Sequence, residues 1–368
     1  MRLSGLAIRH FRNLGSQDLE LPSEGVALIG DNAQGKSNFL EAIYYLETFR
    51  SFRGARDEQL VGFDQDVFRV AGTLDSGSEI TAAFQRAGKK KKVTLDGQEP
   101  DRMSDGLGRL AAVVFSPADI DLVSGGPSER RRFLDIALSL SDPNYLSALQ
   151  EYRGTLQRRN ASLKEGMPSA VVSAWNPGLV RSGTAVMVAR RDWVTRMADA
   201  FKGYYSKVSN GVAATMAYRP NVGIEGLESD GDVAAALTTA LQDSSERESR
   251  QGVTVVGPHR DELRLRLDRE GAELDLRDYG SGGQRRTAAL ALRLVEARTI
   301  RETRGHKPLI LLDDVFAELD DGRSERVLEL MDTDETGQVV LTAPKEADVR
   351  LRRDSLERWT IRAGRITA

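Results

Sequence analysis

Apolar and polar positions follow different periods along this chain, and each period predicts a different element. From Leu3 to Phe11 apolar residues mostly alternate with polar ones, while Val26-Ala27-Leu28-Ile29 is a compact apolar run that stops at Gly30. The first pattern predicts a short strand and the second a buried one. From Ser37 onward Phe39, Leu40, Ile43, Tyr44 and Leu46 recur at helical spacing, so the glycine-rich stretch between joins a strand to a helix. Val67 to Thr73, Glu79 to Gln85 and Val93 to Asp96 are separated by Asp75-Ser76-Gly77 and a lysine-rich turn. They predict an antiparallel meander, and Leu110 to Phe115 predicts another buried strand.

Between about Ser128 and Ser209 the period becomes helical. Tyr145, Leu149, Tyr152, Leu156 and Leu163 share one face, Gly166-Met167-Pro168 breaks the run, and Val186, Trp193, Met197, Phe201 and Tyr204 resume it. The aromatic members of the second run read as core. Glu225 to Gln251, rich in Ser, Asp, Glu and Gly, suits a short helix between mobile loops. Strands at Leu263 to Leu267 and Leu274 to Leu276, a long helix at Gly283 to Thr303, and buried strands at Leu309 to Leu312 and Val339 to Leu341 complete the pattern. A chain of 368 residues exceeds one usual core. The expected fold is α/β: a mixed, partly antiparallel β layer from residues 1–125 and 252–368, with a mainly helical subdomain, 126–251, inserted into it.

Composition narrows the chemistry. There are no cysteines and only three histidines, His10, His259 and His306, which sets aside disulfides and thiolate metal sites and leaves little for a histidine metal centre. No apolar run approaches the roughly 20 residues of a membrane span, and Met1-Arg2-Leu3-Ser4 does not begin a charged-then-apolar signal. A cytoplasmic protein without a membrane partner is expected. The formal net charge of -3 argues against coating nucleic acid by charge alone; any DNA contact depends on how charges are arranged.

Three motifs carry chemistry. Gly30-Asp31-Asn32-Ala33-Gln34-Gly35-Lys36-Ser37 fits a phosphate loop. Backbone N–H groups wrap the phosphates, the helix start presents its positive end, Lys36 reaches the terminal phosphates of ATP and the Ser37 hydroxyl is a ligand for Mg²⁺. Asn38, next in the helix, is also expected at the nucleotide. The alternative, a chance glycine turn, is disfavoured by the strand before and the helix after. Leu309-Ile310-Leu311-Leu312-Asp313-Asp314 is an apolar strand ending in paired carboxylates, which suits Asp313 to the Mg²⁺ shell and Asp314 to polarising an attacking water. Ser281-Gly282-Gly283-Gln284 opens a helix and forms a second anion cradle.

That third motif, placed after a phosphate loop and about thirty residues before the acidic strand, resembles the signature of the ABC ATPase superfamily. The resemblance implies that Ser281 to Gln284 close over nucleotide bound by a second copy, so that each chain carries two half-sites of an ATP-dependent homodimer. Glu318-Leu319-Asp320 resembles the ABC D-loop. In related ATPases the opening strand also helps hold the nucleotide, which brings in Arg12 and Asn13. Three departures stand out. Thr342 takes the place of a transporter's switch histidine, Phe115 to Asp119 stands where a Q-loop would be without a glutamine, and Asp314 is one methylene shorter than the usual glutamate. The last implies slow hydrolysis.

Leu6 to Asn13, Val113 to Pro117, Arg130 to Asp135, Gly257 to Asp261 and Leu312 to Asp320 further resemble the RecF family of recombinational-repair ATPases. The resemblance implies an ATP-driven dimer that clamps duplex DNA beside single-strand gaps and, with RecR and RecO, helps place RecA. Candidates for a basic DNA face are Arg50, Arg53, Arg56, Lys89, Lys90, Lys91, Lys92, Arg130, Arg131 and Arg132. A solvated hairpin tip is the plainer reading of the lysines, and pairing on a helix surface the plainer reading of the arginines. The rival function is an ABC ATPase subunit coupled to a membrane transporter.

Overall fold

The helix after the glycine loop, Lys36–Thr48, buries ten of its 13 residues, because it is covered on more than one side. It packs against strands of two sheets in the computed structural model. The structure describes residues 1–269, 271–318, 320–332, 337–349 and 355–368. They form two units, Met1–Asp119 with Leu292–Ala368, and Ile120–Ala291.

In the first unit a five-stranded antiparallel sheet runs in the order Gln17–Glu20, Leu3–Arg9, Val67–Leu74, Glu79–Gln85, Lys90–Leu95. A six-stranded sheet runs Arg365–Thr367, Glu357–Arg362, Gly25–Ile29, Val339–Ala343, Leu309–Asp313, Ala112–Phe115. It is parallel except at the first pair. The three central strands are buried along their length, which is why they read as continuous apolar runs. Their carboxyl ends lead to Gly30 and Asp314 and finish at Ala343, so the loops that follow leave the same end of the sheet.

Two expectations change here. The last strand of the meander starts at Lys90, and Lys91 is no solvated tip residue. Its ammonium is 2.7 Å from Asp57, donates to the carbonyl of Phe49 at 2.7 Å and lies 5.2 Å from the Tyr45 ring centre. Strand alternation turns Lys91 inward between two outward lysines. Gln17–Glu20 and Arg365–Thr367 escape the periodicity because they are short strands at sheet edges, and Glu357–Arg362, which lies inside the six-stranded sheet, is not predicted by it either.

Glu47, on the inner face of Lys36–Thr48, is fully buried and accepts from the Leu110 N–H at 3.0 Å. Burial pushes its carboxyl up to about 7, against the backbone N–H groups of residues 110–112 and the charge of Arg304. Its proton is held more tightly in the folded than in the unfolded chain. The stability it contributes is therefore complete below the ordinary value of 4.5 and is lost as pH rises through about 7. That loss is on the order of 3 kcal/mol. Denaturation midpoints of wild type and Glu47→Gln, measured at about pH 5 and about pH 8, should converge at the lower pH and favour the variant at the higher.

The second unit holds the helices Pro127–Ser141, Pro143–Lys164 and Asn176–Ser209, and two more at Asp230–Asp243 and Ser245–Gln251 where one short helix was expected. The predicted apolar face is buried at Tyr145, Leu149, Tyr152 and Leu163, as are Trp193, Met197, Phe201 and Tyr204. The unit also contains a three-stranded antiparallel sheet, Ala272–Asp275, Glu262–Arg269, Ala214–Arg219. Residues 252–291, expected with the ATPase layer, consequently cluster with the helices. The cause is pairing: Glu262–Arg269 lies beside Ala214–Arg219 from Ala214↔Leu267 to Arg219↔Glu262.

Buried charge reinforces that grouping. Arg190, 2% exposed, bonds Asp135 at 2.7 Å and Asp261 at 3.2 Å. Asp261 also accepts from the Asn221 N–H at 2.8 Å and from the Tyr218 hydroxyl. Arg159, also 2% exposed, meets Glu248 at 2.7 Å and Thr254 at 2.8 Å. Removing one partner of such a network would leave a buried charge uncompensated.

Candidate functional site

The glycine loop is shaped by its surroundings. A Cβ at Gly30 would lie 2.6 Å from the Ile361 carbonyl oxygen, and Gly35 has φ 117° with Asn13 Oδ1 2.9 Å from where its Cβ would be. Neither position accepts a side chain without movement. Lys36 begins the helix, and its ammonium donates to the carbonyls of Gly30 at 2.7 Å and Asp31 at 3.3 Å. The Asp314 carboxylate lies 3.9 Å away.

The acidic pair closes onto this loop. Ser37 Oγ donates to Asp313 Oδ1 at 2.8 Å, across a separation of 276 residues. Thr342, on the neighbouring parallel strand, has its Oγ1 3.2 Å from Asp313 Oδ1 and 3.3 Å from Asp314 Oδ1, and accepts from the Asp314 N–H at 3.1 Å. One hydroxyl proton serves only one of these carboxylates at a time. Asp314 adopts φ 48°, an uncommon conformation for a residue with a side chain. Burial raises the pKa of Asp313 above its ordinary value, opposed by the Ser37 hydrogen bond and reinforced by the charge of Asp314.

Arg12 and Asn13 frame the other side. Arg12, with φ 55°, forms a bidentate pair with Glu41 at 2.7 and 2.9 Å. Glu41 is completely buried and also accepts from Ser51. Asn13 donates to the Gln34 carbonyl at 3.3 Å and accepts from Asn38 at 2.7 Å, while Arg53 donates to Asn38 Oδ1 at 3.0 Å. The Gln34 side chain accepts from the Ala363 N–H at 2.6 Å, fixing the loop to the chain's last hairpin. Arg12, Asn13 and Arg53 line an open cleft of about 690 Å³ together with Asn32, Ala33, Gly35, Lys36, Ser37, Asn38 and Asp314.

The family model described as "RecF/RecN/SMC N terminal domain" matches residues 2–362. The chain is 39% identical over 334 residues to the DNA replication and repair protein RecF of Anaeromyxobacter dehalogenans, covering 89% of this chain and 88% of that one. With RecF of Gloeobacter violaceus it shares 38% over 336 residues, again 89% and 88% of the two chains. The chain belongs to the RecF family. It is thereby a DNA replication and repair protein. A solved RecF, described as the recombination mediator protein RecF-ATPrS in the RecFOR pathway, superposes with a TM-score of 0.88 at 32% identity over 99% of this chain and 97% of that one. An Smc head domain from Pyrococcus furiosus reaches 0.57 at 17% identity, covering 100% and 95% of the two chains, and shares the fold.

The RecF-family fold thus joins Gly30 to Asn38, Arg12, Asn13, Asp313 and Asp314 in one unit. Ser281, Gly282, Gly283 and Gln284 belong to the second unit, at the start of the helix Gly282–Arg304. There Ser281 and Gln284 cap each other: the Gln284 N–H donates to Ser281 Oγ at 3.3 Å, and the Ser281 N–H donates to Gln284 Oε1 at 2.8 Å. This reciprocal pairing accounts locally for the serine and glutamine. It does not account for Gly282, whose Cβ would meet nothing within 4 Å. Of the D-loop string, Leu319 lies outside the described residues. The Ser116 to Asp119 segment, lacking a glutamine, is tied down by Arg293, which donates to Asp119 at 2.6 Å and to Glu296 at 2.7 Å.

Several basic candidates are already engaged. Arg130, 5% exposed, grips Glu262 at 2.8 and 2.9 Å and donates to the carbonyls of Val123 and Gly125. Arg131 donates to the Asp261 carbonyl at 2.8 Å, Lys89 pairs with Glu58 at 3.1 Å, and Lys92 pairs with Glu99. Arg50, Arg56, Lys90 and Arg132 are exposed. Sequence reading missed Glu41 and Arg293. The signal for Glu41 was present, since a carboxylate within an apolar helical stripe needs a partner when buried.

Proposed function

We propose that this chain binds and slowly hydrolyses ATP, and that triphosphate held between two copies joins them into a dimer that clamps duplex DNA beside single-strand gaps. The observation that carries this reading is the convergence of Lys36, Ser37, Asp313, Asp314 and Thr342 at one loop. Lys36 would exchange its loop carbonyls for phosphate oxygens, and the first N–H groups of the helix would face the same anion. Ser37 and Asp313 present two hard oxygens at hydrogen-bond separation, a donor set that suits Mg²⁺ completed by phosphate and water. When bound, Mg²⁺ neutralises charge on the phosphates.

Asp314 would orient the attacking water and accept its proton. Its short side chain, held beside Thr342 and Lys36, supports slow turnover of the kind suited to a clamp. For pairing, the supporting feature is Gly282: an exposed glycine in open space lets a partner's phosphates approach the capped helix start closely. The partners RecR, RecO and RecA enter through the family resemblance and through the solved relative's place in the RecFOR pathway.

Binding to gapped duplex DNA, measured with and without ATP at about 50 and 200 mM salt, tests the function. Pairing doubles any basic face, so ATP should strengthen binding, and the higher salt should weaken it by about tenfold or more. Equal affinity with and without ATP, or no binding at either salt, contradicts the clamp and favours an ATPase serving another partner.

A further inference from the structure

Phe63 is 90% exposed, yet it lies on a hydrogen-bonded turn of the first unit and lines the cleft that contains Lys36, Ser37 and Asp314. The turn runs from Gly62 to Gln65, closed by a hydrogen bond from the Gln65 N–H to the Gly62 carbonyl at 3.3 Å, with Asp64 at φ 57°. Two bonds of 2.7 Å anchor its base: the Gly62 N–H donates to the His10 carbonyl, and the Arg12 N–H donates to the Leu60 carbonyl. A bridge between Phe11 and Val61 sits between them. A side chain at Gly62 would be crowded, because its Cβ would lie 3.1 Å from the carbonyl oxygens of both His10 and Arg12.

His10 and Arg12, which anchor it, take φ 54° and 55°, a strained region for residues with a side chain. Lone exposed hydrophobic residues are ordinary on a protein surface. A lone phenylalanine at the tip of a strained, doubly anchored turn, in the same cleft as a phosphate loop, is different. Among the described residues no ring or cation–π contact engages it. Stored strain and an uncovered aromatic face together describe a preorganised stacking surface.

We propose that the Phe63 ring is the stacking platform for the purine base of the nucleotide whose phosphates the Gly30 to Ser37 loop takes. The inference rests on the nucleotide reading above and adds base recognition to it. Its chemistry is dispersion and quadrupole contact with the base face, not hydrogen bonding to the base edge, so it favours large bases over small ones without reading their substituents. The cleft volume falls within the range of about 300–1,000 Å³ that holds a ligand of this size.

Calorimetric titration of the full chain with ATP, UTP and inorganic tripolyphosphate tests it, comparing wild type with Phe63→Ala and Phe63→Trp. Phe63→Ala should weaken ATP binding by about tenfold, narrow the preference for ATP over UTP, and leave tripolyphosphate binding unchanged. Phe63→Trp should restore ATP affinity, and its fluorescence should be quenched by ATP and not by tripolyphosphate. Unchanged ATP affinity in Phe63→Ala overturns the inference while leaving the nucleotide reading intact. Equal losses for ATP and tripolyphosphate also overturn it, showing that the ring supports the loop instead of the base. If wild type binds neither ligand, both readings fall together.

Discussion

Protein carrying Lys36→Met is expected to lose ATP binding by about 100-fold or more. The Lys36 side chain is 5% exposed and its ammonium is already bonded to two loop carbonyls, so it is poised at the loop and needs little reordering to meet a phosphate. Methionine fills similar space but donates nothing, and it leaves Asp314, 3.9 Å away, facing the incoming phosphates without a cation between them. Calorimetry measures the loss, and a thermal melt separates it from misfolding. An unfolded variant would show a lowered melting temperature, whereas the loop reading expects one close to wild type. Retention of wild-type ATP affinity would remove the phosphate-loop assignment.

Ser281→Arg should separate binding from turnover. The substitution falls in the second unit, where Ser281 and Gln284 cap the helix Gly282–Arg304, while every described residue of the phosphate-loop cleft belongs to the first. ATP affinity of the single chain is therefore expected to stay within a few-fold of wild type. Hydrolysis should fall by about 100-fold or more, the scale of removing a preorganised donor from developing charge, because an arginine beside Gly282 obstructs the approach of a second copy. Loss of the cap alone costs about 1 kcal/mol and is controlled by Ser281→Ala, which removes the hydroxyl without adding bulk. If Ser281→Arg hydrolyses ATP at the wild-type rate, the signature has no part in catalysis.

The placement of the glycine loop between a strand and a helix was legible because its pattern is local. A buried strand, two glycines and a helix start are all written within a dozen neighbouring residues, and the sheet then sets Asp313 and Asp314 beside them through the pairing of Leu309–Asp313 with Val339–Ala343. The contribution of Thr342 was legible only as a departure from a pattern. Its actual position, within 3.3 Å of both carboxylates, follows from strand register, which no single segment encodes. Arg130 and Lys91 read as surface charge because runs of like charge usually are. Burial beside Glu262 and Asp57 depends on partners 132 and 34 residues away in sequence, and composition carries no trace of them. The same limit explains the placement of residues 252–291: their strand reads as a strand, but its partner, Ala214–Arg219, lies in a segment whose short alternation gave no signal.

The most direct test of the account is sedimentation velocity of Asp314→Asn, a variant that keeps the loop and the signature while removing the carboxylate expected to activate water. With saturating ATP and Mg²⁺ it should sediment as a dimer, and without nucleotide as a monomer. A variant that binds ATP stoichiometrically and still sediments as a monomer at every protein concentration would contradict the claim that nucleotide joins two copies.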